Sequence, residues 1–182
     1  MPTKTSKTPA PLRVLITGAS TGIGYATALR LGSKGHHVAL VARRKELLED
    51  LARKIEEAGG KAFPIAADLA DASAPPKVIE EAVQKLGGLD VLINNAGFAH
   101  NRPIAKQKTE RVLQMLDVNL RAPMLLCKEA IPHLRKSRKA RIINVASVVG
   151  HAPFPGMAVY SATKHALVAF SDALRAELAP KI

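Results

Sequence analysis

Residues 12–24 read LRVLITGASTGIG, and this stretch decides the fold that we predict for the whole chain. Its first half is apolar without alternation, which is typical of a strand buried on both faces of a parallel sheet. Glycines follow at positions 18, 22 and 24, and an alanine- and leucine-rich helix begins directly after them. Such a turn brings backbone N–H groups together where an anion can bind. The stretch therefore favours a dinucleotide-binding turn, although ordinary strand-to-helix turns also carry glycine clusters.

The composition indicates one globular domain over residues 12–182. The full chain has 182 residues, of which 47% are hydrophobic, and no apolar run reaches the length of a membrane span. A single cysteine, Cys127, excludes an internal disulfide and offers no metal-ligand spacing. We expect a buried structural thiol, no metal site and a reducing, cytoplasmic location.

The formal net charge of +12 permits two interpretations. Basic residues are spread along the chain and aromatic residues make up only 3%, which favours solvated helix faces over a nucleic-acid surface. Nucleic-acid binding remains an alternative that rests on charge alone. Residues 1–11 are rich in Thr, Ser, Lys and Pro, and we expect them to form a disordered basic leader.

Strand and helix patterns alternate after the glycine turn. Further strands are predicted at 38–42, 62–67, 89–93 and 141–146, with helices at 46–58, 75–86, 109–135 and 158–179. This alternation predicts an α/β fold with a doubly wound parallel sheet in the order 3-2-1-4-5. The polar loop at 98–108 has the composition of a disordered segment, and Pro123 and Pro132 are expected to bend or interrupt the long helix.

Two arginines end the second strand at the position that decides the type of cofactor. An acidic side chain there would hold a ribose 2′-hydroxyl, but Arg43 and Arg44 occupy this part of the chain. An arginine fork matches a 2′-phosphate, whereas a carboxylate repels it. The pair therefore favours NADP(H) over NAD(H). The alternative is that both arginines are solvated residues at a helix start.

Polar residues also follow the other strands. Asp68 and Leu69 close the third strand, residues 94–97 (Asn-Asn-Ala-Gly) follow the fourth, and Ser147 follows the fifth. Ligands bind at the carboxyl ends of strands in open α/β sheets, although a helix cap or a plain turn would also explain these residues.

Three polar residues fall within predicted helices. Asn119 lies inside the long helix, where asparagine is disfavoured, so it is either exposed or placed for a purpose. Tyr160 and Lys164 stand four residues apart in the last predicted helix and share one of its faces.

Taken together, these motifs resemble the short-chain dehydrogenase/reductase family. The resemblance covers residues 12–179 and follows the family order: the glycine turn, Asn-Asn-Ala-Gly, Asn119, Ser147 and the Tyr160–Lys164 pair. It implies an NADP(H)-dependent oxidoreductase that interconverts an alcohol and a ketone or aldehyde. A family dimer or tetramer, packed through helices 109–135 and 158–179, is implied as well.

The resemblance also implies a role for each residue. Tyr160 would exchange the proton with the substrate oxygen, and the ammonium of Lys164 would favour the phenolate form. Ser147 would polarise the substrate oxygen, Asn119 would position a water, and Lys164 would also bind the nicotinamide ribose. The cofactor contacts would come from the turn, the two arginines and the strand ends, with Tyr160 and Lys164 at the nicotinamide: Gly18, Ser20, Thr21, Gly22, Ile23, Gly24, Arg43, Arg44, Asp68, Leu69, Asn95, Ala96 and Gly97.

One departure from the family pattern affects the expected function. Family members continue past the Tyr160 helix with further strands, and a dinucleotide-binding sheet has six strands, but only five are visible here. We therefore expect C-terminal strands to be missing from this chain. The rival to an active enzyme is a non-catalytic nucleotide-binding or interaction fragment of the same fold.

Overall fold

The computed structural model of the protein describes residues 10–182. Its five strands form one parallel sheet in the order β3-β2-β1-β4-β5, which confirms the predicted topology. The strands are β1 Arg13–Thr17, β2 His37–Ala42, β3 Lys61–Ala66, β4 Val91–Asn94 and β5 Arg141–Asn144. The helices are α1 Gly22–Gly32, α2 Lys45–Glu57, α3 Ala74–Leu86, α4 Thr109–Leu116, α5 Ala122–Leu134 and α6 Ala158–Leu178.

Helices cover both faces of the sheet because alternate strand residues point to opposite sides. Helices α1 and α2 pack on the face that carries Val14, Ile16, Val38 and Leu40. Helices α3, α5 and α6 pack on the face that carries Leu15. The strands are consequently apolar on both sides, as the unbroken apolar runs of the sequence indicate.

The loop between β4 and α4 differs from the expectation of disorder. Residues Ile104–Lys106 form a 3₁₀ turn, and the Nε2 of Gln107 donates hydrogen bonds to the carbonyl oxygens of His100 and Arg102. The amide of Arg102 also donates to the carbonyl of Gly156 across 2.8 Å. A polar composition predicted disorder here, but these local hydrogen bonds satisfy the backbone and order the loop.

The long helix predicted at 109–135 has no gap from Thr109 to Leu134, but its winding changes along its length. Residues Asp117–Arg121 form a π-helical segment between α4 and α5. The expected interruption at Pro132 is absent, since α5 continues to Leu134. Pro132 lies in the last turn of α5, so little helix remains after it to be disturbed. Pro123 follows the π segment in the first turn of α5, where proline is tolerated.

Further sequence predictions concern the proline of β3, the single cysteine, the end of β5, the leader and membrane spans. The proline of β3 lies on an edge strand, Cys127 is buried and unoxidised, and β5 ends at Asn144 rather than at residue 146. Of the predicted basic leader, residues 1–9 lie outside the described residues. No helix within residues 10–182 has both the length and the apolar character needed to cross a membrane.

Candidate active site

A cleft of about 390 Å³ opens beside the carboxyl ends of β1, β2 and β3. Much of the predicted cofactor set lines it: Gly18, Ser20, Thr21, Arg43, Arg44, Asp68, Leu69, Ala96 and Gly97. Its other wall comes from α4 and the π segment, through Arg111, Gln114 and Val118. Residues far apart in sequence are thus brought to one cavity by the parallel topology.

The glycine turn is built for close approach of backbones. Gly18 has a φ of +67°, a conformation that disfavours any side chain, and a Cβ there would lie 2.9 Å from the Cα of Ala96. Gly24 is buried against the carbonyl oxygen of Gly18 and the Nδ2 of Asn95, so that a Cβ would overlap both. The turn therefore holds α1 close to the sheet.

Thr17 joins this turn to the end of β4. Its Oγ1 accepts hydrogen bonds from the amides of Asn95 and Ala96, each at 3.0 Å. In return, the Nδ2 of Asn95 donates to the carbonyl oxygens of Thr17 at 2.9 Å and Gly18 at 3.3 Å. The amides predicted at the end of β4 thus act mainly to fasten two strands side by side beneath the cleft.

Positive charge gathers on one wall of the cleft. Arg43 and Arg44 are exposed and follow β2 directly, and the Nη2 of Arg44 donates a 3.3 Å hydrogen bond to the Oγ of Ser20. Arg44 is therefore attached to the glycine turn, while Arg43 has no side-chain hydrogen bond or ion pair among the described residues. This arrangement offers two guanidinium groups and a hydroxyl to one anion.

Asp68 lies on the loop after β3 with its carboxylate partly engaged. Its Oδ1 accepts a 3.0 Å hydrogen bond from the amide of Ala70, which is the turn role that the sequence left open. Because Asp68 also lines the cleft, a turn role and a ligand role are compatible at this position.

Asn119 is fully buried in the π segment. Its Oδ1 accepts from the amide of Phe98 at 3.0 Å, and its Nδ2 donates to the carbonyl of Phe98 at 2.9 Å and to the Oγ1 of Thr163 at 3.3 Å. Of the two alternatives left open by the sequence, exposure is therefore wrong. Asn119 connects the chain after β4 to the first turns of α6.

Lys164 does not line the cleft but lies next to Gly97, which does. It is only 4% exposed, and its Nζ donates a 2.7 Å hydrogen bond to the carbonyl oxygen of Val145. A Cβ on Gly97, which lines the cleft, would lie 3.7 Å from this Nζ and 3.1 Å from the Oδ1 of Asn119. The same Nζ is 5.8 Å from the centre of the Tyr160 ring. Burial lowers the pKa of Lys164 from its usual value of 10.5.

Ser147 stands at the start of the 3₁₀ turn Val148–Gly150. Its Oγ accepts a 3.4 Å hydrogen bond from the amide of Val149, which leaves the hydroxyl hydrogen free to donate. This turn rests on α6, since a Cβ on Gly150 would lie 3.0 Å from the carbonyl oxygen of Lys164. The fold thus brings Asn119 and Lys164 beside Gly97, and it packs the turn after Ser147 against α6, the helix that carries Tyr160 and Lys164.

Three contributors to this region were not predicted from the sequence. Thr17 and Thr163 are buried threonines whose hydroxyls bind backbone groups and Asn119, and Arg121 binds the loop after β3. Isolated threonines carry no distinctive spacing, so only the geometry identifies them. Six residues of the predicted cofactor set do not line the cleft: Gly22, Ile23, Gly24, Asn95, Tyr160 and Lys164. Ile23 is 69% exposed at the start of α1. Residues 10–182 hold no group of three or more potential metal ligands.

Comparison with known proteins places these features in a family context. Residues 13–182 match the short chain dehydrogenase family. A short chain dehydrogenase of Pseudocercospora fijiensis is 35% identical over 166 residues, covering 90% of this chain and 54% of the relative. The 3-oxoacyl-[acyl-carrier-protein] reductase of Staphylococcus aureus is 37% identical over 168 residues, covering 92% of this chain and 68% of the relative.

A solved structure shows the same architecture. A metagenomic short-chain oxidoreductase, crystallised in complex with NADP, superposes with a TM-score of 0.87 at 36% identity and covers 92% of this chain and 75% of that one. The chain described here thus spans between 54% and 75% of the length of these three proteins.

Proposed function

The chain belongs to the short chain dehydrogenase family, and from that premise we propose that it is an NADP(H)-dependent oxidoreductase that interconverts an alcohol and a ketone or aldehyde. The observation that carries the proposal is the position of Lys164. Its buried ammonium borders Gly97 of the cleft and lies one helical turn from Tyr160. A buried cation beside a phenol, at the rim of a nucleotide-sized cleft, suits proton exchange next to a bound cofactor.

The residues of the cleft fit such a cofactor. The glycine turn presents the N-terminus of α1 to a diphosphate, and Asp68 and Leu69 are available to an adenine. Arg43 and Arg44, with Ser20, offer a site for the 2′-phosphate that distinguishes NADP from NAD. The metagenomic relative that was crystallised with NADP supports this choice. When bound, the cofactor supplies or accepts the hydride.

Tyr160 and Ser147 act on the substrate oxygen. Tyr160 donates a proton to the carbonyl oxygen during reduction and removes it during oxidation. Ser147 accepts a hydrogen bond from the amide of Val149 and uses its free hydroxyl hydrogen to hold and polarise the same oxygen.

Lys164 and Asn119 support this exchange. Lys164 spends one donor on Val145 and keeps two for ribose hydroxyls, while its charge favours the phenolate form of Tyr160. Asn119 has its amide committed to Phe98 and Thr163. We therefore propose that its side chain positions the elements around Lys164, in addition to any water that it holds.

The decisive experiment measures NADPH binding and turnover separately. Binding is followed by the change in NADPH fluorescence, and turnover by NADPH oxidation with a panel of ketones and aldehydes. Tyr160→Phe removes one hydroxyl at nearly constant shape, so it should abolish turnover and leave binding unchanged. Binding without turnover in the unaltered chain would favour the non-catalytic alternative, and a Tyr160→Phe variant that retains most of its rate would remove Tyr160 from the mechanism.

Two further parts of the proposal concern the surroundings of the protein. We propose a dimer or tetramer formed through α4, α5 and α6, supported by the exposure of Leu113 and Leu116 on α4. A cytoplasmic location is proposed because the single cysteine is buried and free, which requires no oxidising compartment.

A further inference from the structure

The side chain of Arg121 connects the π segment to the loop after β3. Its Nη2 donates a 2.6 Å hydrogen bond to the carbonyl oxygen of Ala70, and its Nη1 lies 2.9 Å from the Oδ1 of Asp117 one turn earlier. The guanidinium is therefore held at both ends, by a carboxylate on its own helical segment and by a backbone carbonyl of the loop after β3.

The peptide groups of Ala70 carry this contact on to Asp68. The carbonyl of Ala70 accepts from Arg121, and the amide of Ala70 donates to the Oδ1 of Asp68 at 3.0 Å. Asp68 also accepts the amide of Asp71 at its own carbonyl, at 3.1 Å. Ala70 is thus held from both sides, by Arg121 at its carbonyl oxygen and by the carboxylate of Asp68 at its amide, and these two hydrogen bonds fix its orientation.

The carboxylate of Asp68 keeps one oxygen available to a ligand. Asp68 lines the cleft, and its Oδ2 makes no hydrogen bond among the described residues. A carboxylate oxygen in that position accepts a hydrogen bond from an amino group and repels a carbonyl oxygen. Adenine presents an amino group at its six-position, whereas hypoxanthine presents a carbonyl oxygen there.

We propose that Arg121 is a positioning residue that, through Ala70, orients Asp68 for the amino group of adenine and so gives the cleft its selectivity for adenine over hypoxanthine. This inference rests on the proposed function, because it requires a dinucleotide in the cleft. Without Arg121, the loop keeps its internal hydrogen bonds at Asp71 and Ser73 but loses the contact that ties it to the π segment. Asp68 then samples more orientations, and its discrimination between the two bases falls.

The test compares the dissociation constants of NADPH and of its deamino analogue, which carries hypoxanthine, by fluorescence titration of the full chain. We expect the unaltered protein to favour NADPH by about tenfold, the effect of one charged hydrogen bond. In Arg121→Met this ratio should fall to about twofold, mainly through weaker NADPH binding. Arg175→Met is the matched control, because Arg175 pairs with Asp172 on the exposed face of α6; its ratio should equal that of the unaltered protein.

The ratio of the two dissociation constants separates a positioning role from a general structural role. Loss of a general structural role would weaken the binding of both dinucleotides equally. A folded Arg121→Met variant with an unchanged ratio overturns the inference and leaves the proposed function intact. An unaltered chain that binds neither dinucleotide overturns the proposed function and the inference with it. If Arg121→Met does not fold, Arg121→Gln, which keeps a neutral donor, decides in its place: an intermediate ratio supports the inference, and an unchanged one overturns it.

Discussion

Asp90 and Arg13 form a four-point junction with Ser137 at the amino edge of the sheet, opposite the cleft. The carboxylate of Asp90 accepts from the backbone amide of Arg13 at 2.8 Å and from its Nε and Nη2 at 2.9 and 2.8 Å, and the Oγ of Ser137 adds a 2.6 Å hydrogen bond. Arg13 begins β1, and Asp90 directly precedes β4. The junction therefore fastens the starts of two central strands to the turn before β5.

Removing the charge of Asp90 should destabilise the fold strongly. In Asp90→Asn the amide cannot serve all four donors, and the guanidinium of Arg13 loses its partner, so the free energy of unfolding should drop by about 2–4 kcal/mol. Urea titration followed by circular dichroism measures the change. Asp172→Asn, which loses the partner of Arg175 at an exposed position, is the control and should change stability by less than about 0.5 kcal/mol. Equal losses in the two variants would show that the junction contributes little.

Because of the same junction, the free energy of unfolding should depend on pH in the acid range. Hydrogen bonds from Arg13 hold the pKa of Asp90 well below its ordinary value of 3.8. A lowered pKa in the folded state favours the ionised form, so the stabilisation is complete above the unfolded pKa and is lost as pH falls below it. The stability difference between the unaltered protein and Asp90→Asn should thus be constant above about pH 5 and shrink below pH 3.8. A difference that stays constant down to pH 2 would contradict this account.

Replacing Lys164 should reduce function without reducing stability, whereas replacing Asp90 should reduce stability. Burial lowers the pKa of Lys164, so the folded state disfavours the charged form. The burial of the charged lysine therefore reduces the free energy of unfolding. This loss is complete below the pKa of the folded state and disappears as the pH rises towards 10.5. Lys164→Met removes the buried charge at similar size. We expect its free energy of unfolding at pH 7 to equal or exceed that of the unaltered protein by up to about 1 kcal/mol, while NADPH binding and turnover both fall.

The control for this variant is Lys128→Met, which removes an exposed lysine and should alter neither stability nor binding. Parallel unfolding titrations at pH 7 and pH 10 measure the linkage, and the gain in Lys164→Met should be smaller at the higher pH. A loss of more than about 2 kcal/mol at pH 7 would mean instead that the hydrogen bond to Val145 outweighs the cost of burial.

Arg43 provides the sharpest test of cofactor preference. If its guanidinium binds the 2′-phosphate, Arg43→Ala should weaken NADPH binding by roughly 10- to 100-fold and change NADH binding by less than about twofold. Arg138→Ala removes the same charge from the opposite edge of the sheet, before β5, and controls for long-range electrostatics. Equal losses for the two cofactors would show that Arg43 does not recognise the phosphate.

Self-association should depend on the apolar surface of α4. Leu113 is 54% exposed and Leu116 is 37% exposed, and such neighbouring side chains favour burial against another chain. Leu113→Lys should shift the molar mass measured by light scattering towards that of a monomer. Ile104→Lys, at a similarly exposed residue on the 3₁₀ turn, should not. A monodisperse monomer for the unaltered chain at micromolar concentration would rule out the proposed assembly.

Sequence reasoning predicted the sheet well because its determinants are local. The unbroken apolar runs around Val14 and Val38, separated by helical patterns, imply parallel strands covered on both faces. The cleft followed from the same logic, since Gly18, Arg43 and Asp68 each stand at a strand end, and those ends meet at one edge. These expectations needed no knowledge of particular side-chain contacts.

What the sequence could not show depends on contacts between distant segments. The π winding around Asn119 accompanies hydrogen bonds from this residue to Phe98 and to Thr163, and no local sequence pattern predicts these contacts. The same holds for the ordered loop at 98–108, where Arg102 binds Gly156. Polar composition indicated disorder at that loop because it says nothing about long-range hydrogen bonds.

The double hydrogen bond to the hydroxyl of Thr17 has a consequence for local unfolding. The amides of Asn95 and Ala96 are bound to a side chain at the end of β1 rather than to its backbone. The turn after β4 therefore cannot open without breaking both bonds to Thr17, the residue that leads into the glycine turn. We therefore expect the two turns to open as one cooperative unit, with the amide protons of Asn95 and Ala96 exchanging with deuterium at the same rate as each other. In Thr17→Val these amide protons should exchange independently and faster. A single hydroxyl would then set the rate of local opening of the turn after β4, next to the cleft.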